Sequence, residues 1–551
     1  MKNIKTALLC LILCVSHSFI FAKDKLAETE KLAATAQVWG FLKYYHPSVA
    51  KGKYNWDEEL FKVLPKVKEA ESKTQLSQIY INWIDRLGKV KECKNCGNEP
   101  ELEYFSKNFD LSWMENNKLF TPDLTEKLKF IEDNRHQGKK HYVSQAKRVR
   151  NIIITNEIDY KDFDWQDENL RLLSLFRYWN IVEYFFPYKY QTDTDWEEVL
   201  NTMIPKFLYP ESETDFHLAM LELIINLDDS HANFFSDITE SFWGYYLVPA
   251  GFKLIDNKAV LTRFYDDSLA RIDDLRVGDV ITKIDDKDVW EVFKEKEKYI
   301  NGSNVSRKKY IGSHVIFMGS SGSINIEYTR DGKTHSKSIK RYLRKDFNFN
   351  KKERKPFKVL EGNIGYINMG VIKNKDVEEA MEALNDTKAI IFDLRNYPKG
   401  TLYSLILHIS SKKNNFYKVT YPDLDYPGKF IWRDGNQCGI NGDLKYLGKI
   451  ILLVNESSQS HSEFTIMCLQ TGDNVTTLGS QTSGADGNVS RFDMVGGFKT
   501  AISGIGIFYP DGTETQRKGV KIDIEVKPTI QGIKDGRDEV LEKAIEFLSE
   551  L

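Results

Sequence analysis

A gapless internal repeat constrains this chain more than any other feature of its sequence. Displaced by 140 residues, the chain falls back on itself: Trp39 lands on Trp179, Tyr44 on Tyr184, Pro47 on Pro187, Trp56 on Trp196, Leu60 on Leu200, Pro65 on Pro205, Lys66 on Lys206 and Leu87 on Leu227. Trp and Pro landmarks that stay in step over this distance point to one supersecondary unit used twice. Val38, Phe41, Leu42 and Tyr45 in the first copy, and Tyr178, Ile181, Val182 and Phe185 in the second, recur at helical spacing, so each unit is predicted to be helical. The proline after each aromatic cluster ends a helix. The copies part at their ends, where the second reads Leu227-Asp228-Asp229-Ser230-His231-Ala232 and the first Leu87-Gly88-Lys89-Val90-Lys91. Only the second copy offers an imidazole there, so the first reads as scaffold and the second as the carrier of a functional group.

At 551 residues the chain exceeds one hydrophobic core, and ordinary domain sizes predict about three or four domains. Lys plus Arg (77) nearly balances Asp plus Glu (80), so no net field points to a nucleic acid or an anionic membrane. The first residues, Met-Lys-Asn-Ile-Lys, precede an apolar run from Ala7 to Phe21 and then Ala22, which reads as a secretory signal over 1–22. That run is short and broken by Ser16, His17 and Ser18, which disfavours a permanent span. Lipidation at Cys14 is disfavoured by the bulky Leu13 before it. The expected location is therefore exported, periplasmic or envelope-associated. Cys93 and Cys96 have no second ligand pair at zinc-like spacing, so a local disulfide or two thiols in a turn is expected there, and no metal. No phosphate-binding glycine loop with its lysine is present, and no cofactor is expected.

From 245 to 345 the pattern changes to short β-like runs. Ala250-Gly251-Phe252 looks like the loop of PDZ domains whose amides hold a peptide's terminal carboxylate, and Leu275-Arg276-Val277-Gly278-Asp279-Val280-Ile281 resembles their L-x-x-GD-x-I run. The resemblance implies peptide binding at Gly251 and Phe252, with an ordinary β subdomain as the alternative. Ile324 to Tyr328 reads as a strand turning at Asp331-Gly332. From 355 to 551 strand and helix signals alternate, which argues for an α/β core.

The segment Ile450 to Val454 reads as a buried strand that runs through a polar turn into a helix starting near Ser460. An ordinary explanation exists for Ser460, because serine is a preferred N-cap and Glu463 completes a capping box. The other explanation is that helix-start amides, His461's among them, stabilise an oxyanion beside the serine oxygen. The run Ser460-His461-Ser462-Glu463, the downstream Gly479-Ser480-Gln481-Thr482-Ser483-Gly484 and the strand Ala389 to Asn396 resemble the core of the S41 peptidases. That resemblance implies Ser460 as nucleophile and an oxyanion amide from the loop Tyr397-Pro398-Lys399-Gly400. Pro398 has no amide hydrogen, which leaves Gly400 or Lys399.

In the processing-protease branch of that family a lysine base follows the T-x-G run, but Ala485 stands there, and no lysine occurs between Ile450 and Phe498. A Ser/Lys dyad at the usual place is excluded. Ser230-His231 matches the pattern of the tricorn-like branch, which implies His231 as base and Ser230 as its orienting neighbour. His461 is the rival base. The glutamate of that branch falls on Gln516, with Glu514 two residues away as its alternative. Asp486-Gly487 and Asp511-Gly512 read as turn pairs.

The expectation is thus a multidomain α/β protein: a signal over 1–22, helical repeats over 23–165 and 166–240, a PDZ-like module over 245–345, and an S41-like (ClpP/crotonase-like) core over 355–551. Its expected function is that of an exported serine endopeptidase or C-terminal processing peptidase acting on peptides or proteins. A catalytically weak or inactive peptide- or hydrophobic-ligand-binding protein on the same scaffold is the alternative, motivated by Gln516.

Overall fold

The computed structural model describes residues 26–97, 102–349 and 355–550. The signal-like segment 1–22 lies outside them. The chain divides into two compact units, one built from Leu111–Arg135 and the chain up to Cys93, the other from Lys94–Asp110 and the chain from His136 onward.

The first unit holds α1 (Glu28–Tyr45), α2 (Trp56–Glu69), α3 (Lys73–Arg86) and α4 (Pro122–Asp133). A buried indole N–H must find an acceptor, and here each tryptophan uses the other's backbone. Trp39 Nε1 donates to the Trp56 carbonyl at 3.1 Å and Trp56 Nε1 to the Trp39 carbonyl at 3.0 Å. Asn55 and Ser72 cap α2 and α3.

The second unit opens with α5 (Glu168–Phe185), α6 (Trp196–Leu208) and α7 (Glu213–Ile225). The same crossed bonds join Trp179 and Trp196, at 2.7 and 3.1 Å. The caps of α6 and α7, Asp195 and Ser212, lie 140 residues beyond Asn55 and Ser72. Shared landmarks in the sequence therefore correspond to shared local geometry.

Next comes an antiparallel module of β1 (Ala250–Ile255), β2 (Lys258–Phe264), β3 (Val280–Ile284), α8 (Val305–Val315), β4 (Ser323–Arg330) and β5 (Lys333–Lys340), with sheet order β5-β4-β3-β2-β1. Asp331 and Gly332 join β4 to β5 with φ of 50° and 76°, the two left-handed residues a tight hairpin needs. One expectation needs correction. Gly251 and Phe252 lie within β1 rather than in a loop, paired with Arg263 and Leu261 across a bulge. The Phe252 ring is buried and stacks on Phe317 with centroids 3.9 Å apart. β1 is the edge strand, and α8 runs beside it.

The last region is built from β6 (Phe357–Leu360), β7 (Ile364–Asn368), α9 (Val377–Ala383), β8 (Ala389–Asp393), α10 (Leu402–Ile409), β9 (Lys449–Val454), α11 (His461–Leu469), β10 (Val475–Gly479), β11 (Val489–Asp493), β12 (Lys499–Ser503), β13 (Ile524–Glu525) and α12 (Glu539–Ser549). Its main sheet has the order β6-β7-β8-β9-β10-β13, parallel except for β6. Ile390, Phe392 and Leu452 pack on one face with α10 and α11, while Ile391, Ile451 and Leu453 pack on the other with Val540, Ala544 and Leu548 of α12. A strand covered on both faces needs a continuous apolar run, which is what β8 and β9 carry. A second sheet joins β11, β12 and the two-residue strand Asn233–Phe234.

Candidate active site

The loops after β8, β9 and β10 leave the same end of the parallel sheet, where α/β folds place their sites. Val454 leads from β9 through a short turn to Ser460, which stands at φ 56°, ψ −120° at the start of α11. That backbone conformation is dominated by glycine, so a serine is held there under strain. Its hydroxyl makes no capping hydrogen bond, while the Glu463 half of the expected capping box is formed. Glu463 instead reaches back with its carboxylate, accepting from the Ser460 amide at 3.2 Å, from Gly484 N at 2.7 Å, from Ala485 N at 3.0 Å and from Thr482 Oγ1 at 2.6 Å. These bonds tie the start of α11 to the loop after β10. Burial pushes the Glu463 carboxyl upward against the opposing pull of the same bonds.

Ser460 N also donates to Ala485 O and Ser462 N to Gln459 O, at 2.9 and 3.0 Å. Among the described residues the His461 amide between them has no backbone acceptor, and neither has that of Gly400. Gly400 has φ 77°, and a Cβ built on it would stand 4.0 Å from His461 Nε2. The His461 ring lies beside Tyr397, centroids 6.1 Å apart, on the side of the loop after β8. Gly479 ends β10 at φ 143°, where a Cβ would stand 1.9 Å from Val454 O, so only glycine lets the two strand ends run this close.

His231 arrives by register. Asn233 pairs with Ala501 and Phe234 with Thr500 in antiparallel fashion, so the residue two before Asn233 faces the residue two after Ala501. His231 Nδ1 accordingly lies 2.9 Å from Ser503 Oγ. Ser503 Oγ donates to Asp229 Oδ1 at 3.0 Å and its amide to Asp229 Oδ2 at 2.7 Å; the His231 amide also donates to Oδ1, at 3.1 Å. Asp229 and Ser503 are fully buried. The other ring nitrogen, Nε2, is buried and has no hydrogen-bond partner. Burial holds the His231 imidazole below its ordinary value, Asp229 pulls it upward, and the Arg307 and Arg491 charges push it down.

Ser230 is engaged elsewhere than expected. Its hydroxyl meets Ser303 Oγ at 3.0 Å and Ser483 Oγ at 3.1 Å and accepts from Ser303 N at 2.8 Å, so it bolts the histidine loop to the β module and to the loop after β10 instead of touching the imidazole. Gln516 Nε2 approaches Asp229 Oδ1 at 3.5 Å rather than Ser230, and its Oε1 is buried without a partner. Glu514 does not reach the site: Lys518, Lys107 and Tyr190 hold it outside and lower its carboxyl to about 2. The residues immediately before the two central groups meet directly, with Gln459 Nε2 donating to Ser230 O at 3.3 Å. Asp486 is no surface turn residue. It is buried, its Oδ2 has no partner, and burial with the nearby Glu463 pushes its carboxyl well up. Asp229 and Ser503 carried no motif that singled them out, although Asp229 directly precedes Ser230-His231.

A cleft of about 1070 Å³ runs between β1, α8 and the sheet ends, lined by Lys253, Arg263, Tyr310, Tyr397, Glu456 and Ser457 among others. Its lining stops short of Ser460. Lys253 Nζ and Glu456 Oε1, 2.5 Å apart, join β1 to the turn after β9. No group of acidic, His or Cys side chains suited to a metal ion occurs among the described residues.

A serine on a strained turn at the carboxyl end of a parallel sheet, with its hydroxyl uncommitted, is an arrangement suited to a serine hydrolase. Residues 363–526 match the family model of peptidase family S41, which makes this part of the chain a serine-type peptidase domain. No curated protein sequence matches it. Among solved structures it is similar to mature CPAF complexed with lactacystin (TM-score 0.55, 13% identity, covering 70% of this chain and 98% of that one). It is similar too to mature CPAF (0.53, 13%, 68% and 96%) and to the photosystem II D1 C-terminal processing protease (0.38, 15%, 67% and 98%). At these identities the likeness to the two CPAF structures speaks for the fold alone. Homology to peptidases over this region points to protein or peptide substrates. No helix among the described residues is long and apolar enough to cross a membrane.

Proposed function

We propose that the chain hydrolyses peptide bonds through a Ser460 acyl-enzyme, with His231 as general base, in the manner of the tricorn-like branch. The observation that carries this reading is the bond from Gln459 Nε2 to Ser230 O, which brings together the segments bearing an uncommitted serine hydroxyl on a strained turn and a buried imidazole Nε2 without a partner. Ser460 Oγ attacks the scissile carbonyl carbon while its proton passes to His231 Nε2. The oxyanion that forms is held by the amides of His461 and Gly400. As the C–N bond breaks, His231 returns the proton to the leaving amine; water, deprotonated by the same nitrogen, then releases the acid and regenerates the serine.

An extended peptide would add to the free edge of β1 beside α8, in the PDZ-like mode, with the cleft receiving its end near Arg263. Export to the periplasm or envelope follows from the signal-like 1–22 segment. The test is cleavage of an unstructured protein and of peptides with free or amidated C-termini. Wild type should cut them and Ser460→Ala should not. A preference for free over amidated ends would support recognition of C-termini, and turnover by folded Ser460→Ala would remove Ser460 as nucleophile.

A further inference from the structure

The same site contains a buried set of bonds that fixes which nitrogen of His231 carries a proton. Asp229 is ringed by donors: the amides of His231 and Ser503, the Ser503 hydroxyl and the Gln516 amide group, at 3.1, 2.7, 3.0 and 3.5 Å. A carboxylate so placed only accepts, so the single hydrogen of the Ser503 hydroxyl points at Asp229. The Ser503 oxygen then has only lone pairs to turn toward His231, and at 2.9 Å it must accept from Nδ1–H. In a neutral ring with its proton on Nδ1, Nε2 is the bare acceptor. That is the atom left buried without a partner.

We infer that Asp229 and Ser503 are positioning residues for the proposed reaction, acting as a carboxylate–hydroxyl relay that holds His231 in the Nδ1–H tautomer with Nε2 aimed at the substrate side. This role falls to Ser503, brought opposite His231 by the register of Asn233–Phe234 on β12, and not to the adjacent Ser230. When His231 becomes an imidazolium, the same relay answers its charge: Nδ1–H still donates to Ser503 and Asp229 Oδ1 lies 3.7 Å from Nδ1. Direct contact is replaced by a hydroxyl bridge because the carboxylate is already spent on two backbone amides, which makes it rigid. Gln516 adds a neutral donor to Asp229 in place of a second acid, so the site needs no further carboxylate.

The inference rests on His231 being the base, and the test separates the two. The rate at which a fluorophosphonate inactivates the full chain is measured across pH for wild type, His231→Ala, Ser503→Ala, Ser503→Thr and Asp229→Asn. Ser503→Ala should lower the plateau by between about 10- and 100-fold, a loss no larger than the lower end of the about 10²–10⁴ that a general base itself supplies, and Ser503→Thr should restore it. Asp229→Asn removes the anion that raises the imidazole against burial, Arg307 and Arg491, so its acid limb should move to lower pH, a shift that a purely structural role would not cause. If His231→Ala reacts like wild type, the base assignment itself falls. If His231→Ala is slow while Ser503→Ala keeps the wild-type plateau, or Asp229→Asn keeps the wild-type limb, the relay is wrong.

Discussion

Replacing Ser460 by glycine should make the protein more stable than replacing it by alanine, the reverse of the usual order. Both variants remove the hydroxyl, so their difference isolates the backbone. Alanine keeps a Cβ at φ 56°, ψ −120°, where a side chain costs about 1–3 kcal/mol, whereas glycine visits such conformations freely. Against this, the freer unfolded chain of the glycine variant costs about 0.4–1 kcal/mol. The glycine variant should therefore lead by roughly 1–2 kcal/mol, which at about 2.1 cal/mol/K per residue over the second unit is a melting shift of about 1 °C per kcal/mol. Thermal scans by circular dichroism, with tryptophan fluorescence as a second probe, read the difference directly. An alanine variant that melts above the glycine variant would show that the turn is unstrained, and the strained-nucleophile argument would go with it.

Three other outcomes follow from the same structure. Trp196→Phe keeps an aromatic ring but removes the indole bond to the Trp179 carbonyl, and should cost about 0.5–1.5 kcal/mol in denaturant titrations; a loss near zero would remove the crossed tryptophan bonds as a stabilising element. Because burial depresses the His231 imidazole, its neutral form should persist below the ordinary histidine value, and serine reactivity should be lost only as pH falls through that depressed value. A limb at or above 6.5, the ordinary value, would contradict the burial argument. The raised Asp486 carboxyl contributes stability fully present below the unfolded value of about 3.9 and lost as pH rises through the folded one. Asp486→Asn should therefore exceed wild type in stability at pH 8, by a margin that shrinks toward pH 4, and a margin independent of pH would refute it.

The parts of the molecule set by long apolar runs and by turn chemistry were readable in advance. Ala389–Asp393 and Lys449–Val454 announce buried parallel strands because both faces are covered, and Asp331-Gly332 announces its hairpin because few other pairs accept two positive φ values. Ser460 is legible as a candidate through the resemblance of its segment to the S41 core, though its positive φ is not. The relay was not legible. It depends on a strand of two residues, Asn233–Phe234, too short to leave a pattern, which sets Ser503 against His231 across a long sequence separation. Attention to the Ser230-His231 pair passed over Asp229 next to it. The resemblance to PDZ domains makes Ala250-Gly251-Phe252 a loop, whereas here Gly251 and Phe252 sit at a bulge inside an edge strand. Asp486-Gly487 shows the matching limit: composition marks a turn but says nothing of its depth.

The central claim is that Ser460 is the nucleophile and that His231 activates it. The most direct measurement is to label the folded chain with a fluorophosphonate and locate the adduct by peptide mass spectrometry in wild type and His231→Ala. The account predicts a single adduct on Ser460 in wild type and strongly slowed labelling at the same residue in His231→Ala. An adduct on any other residue, or equal labelling of both proteins, would contradict it.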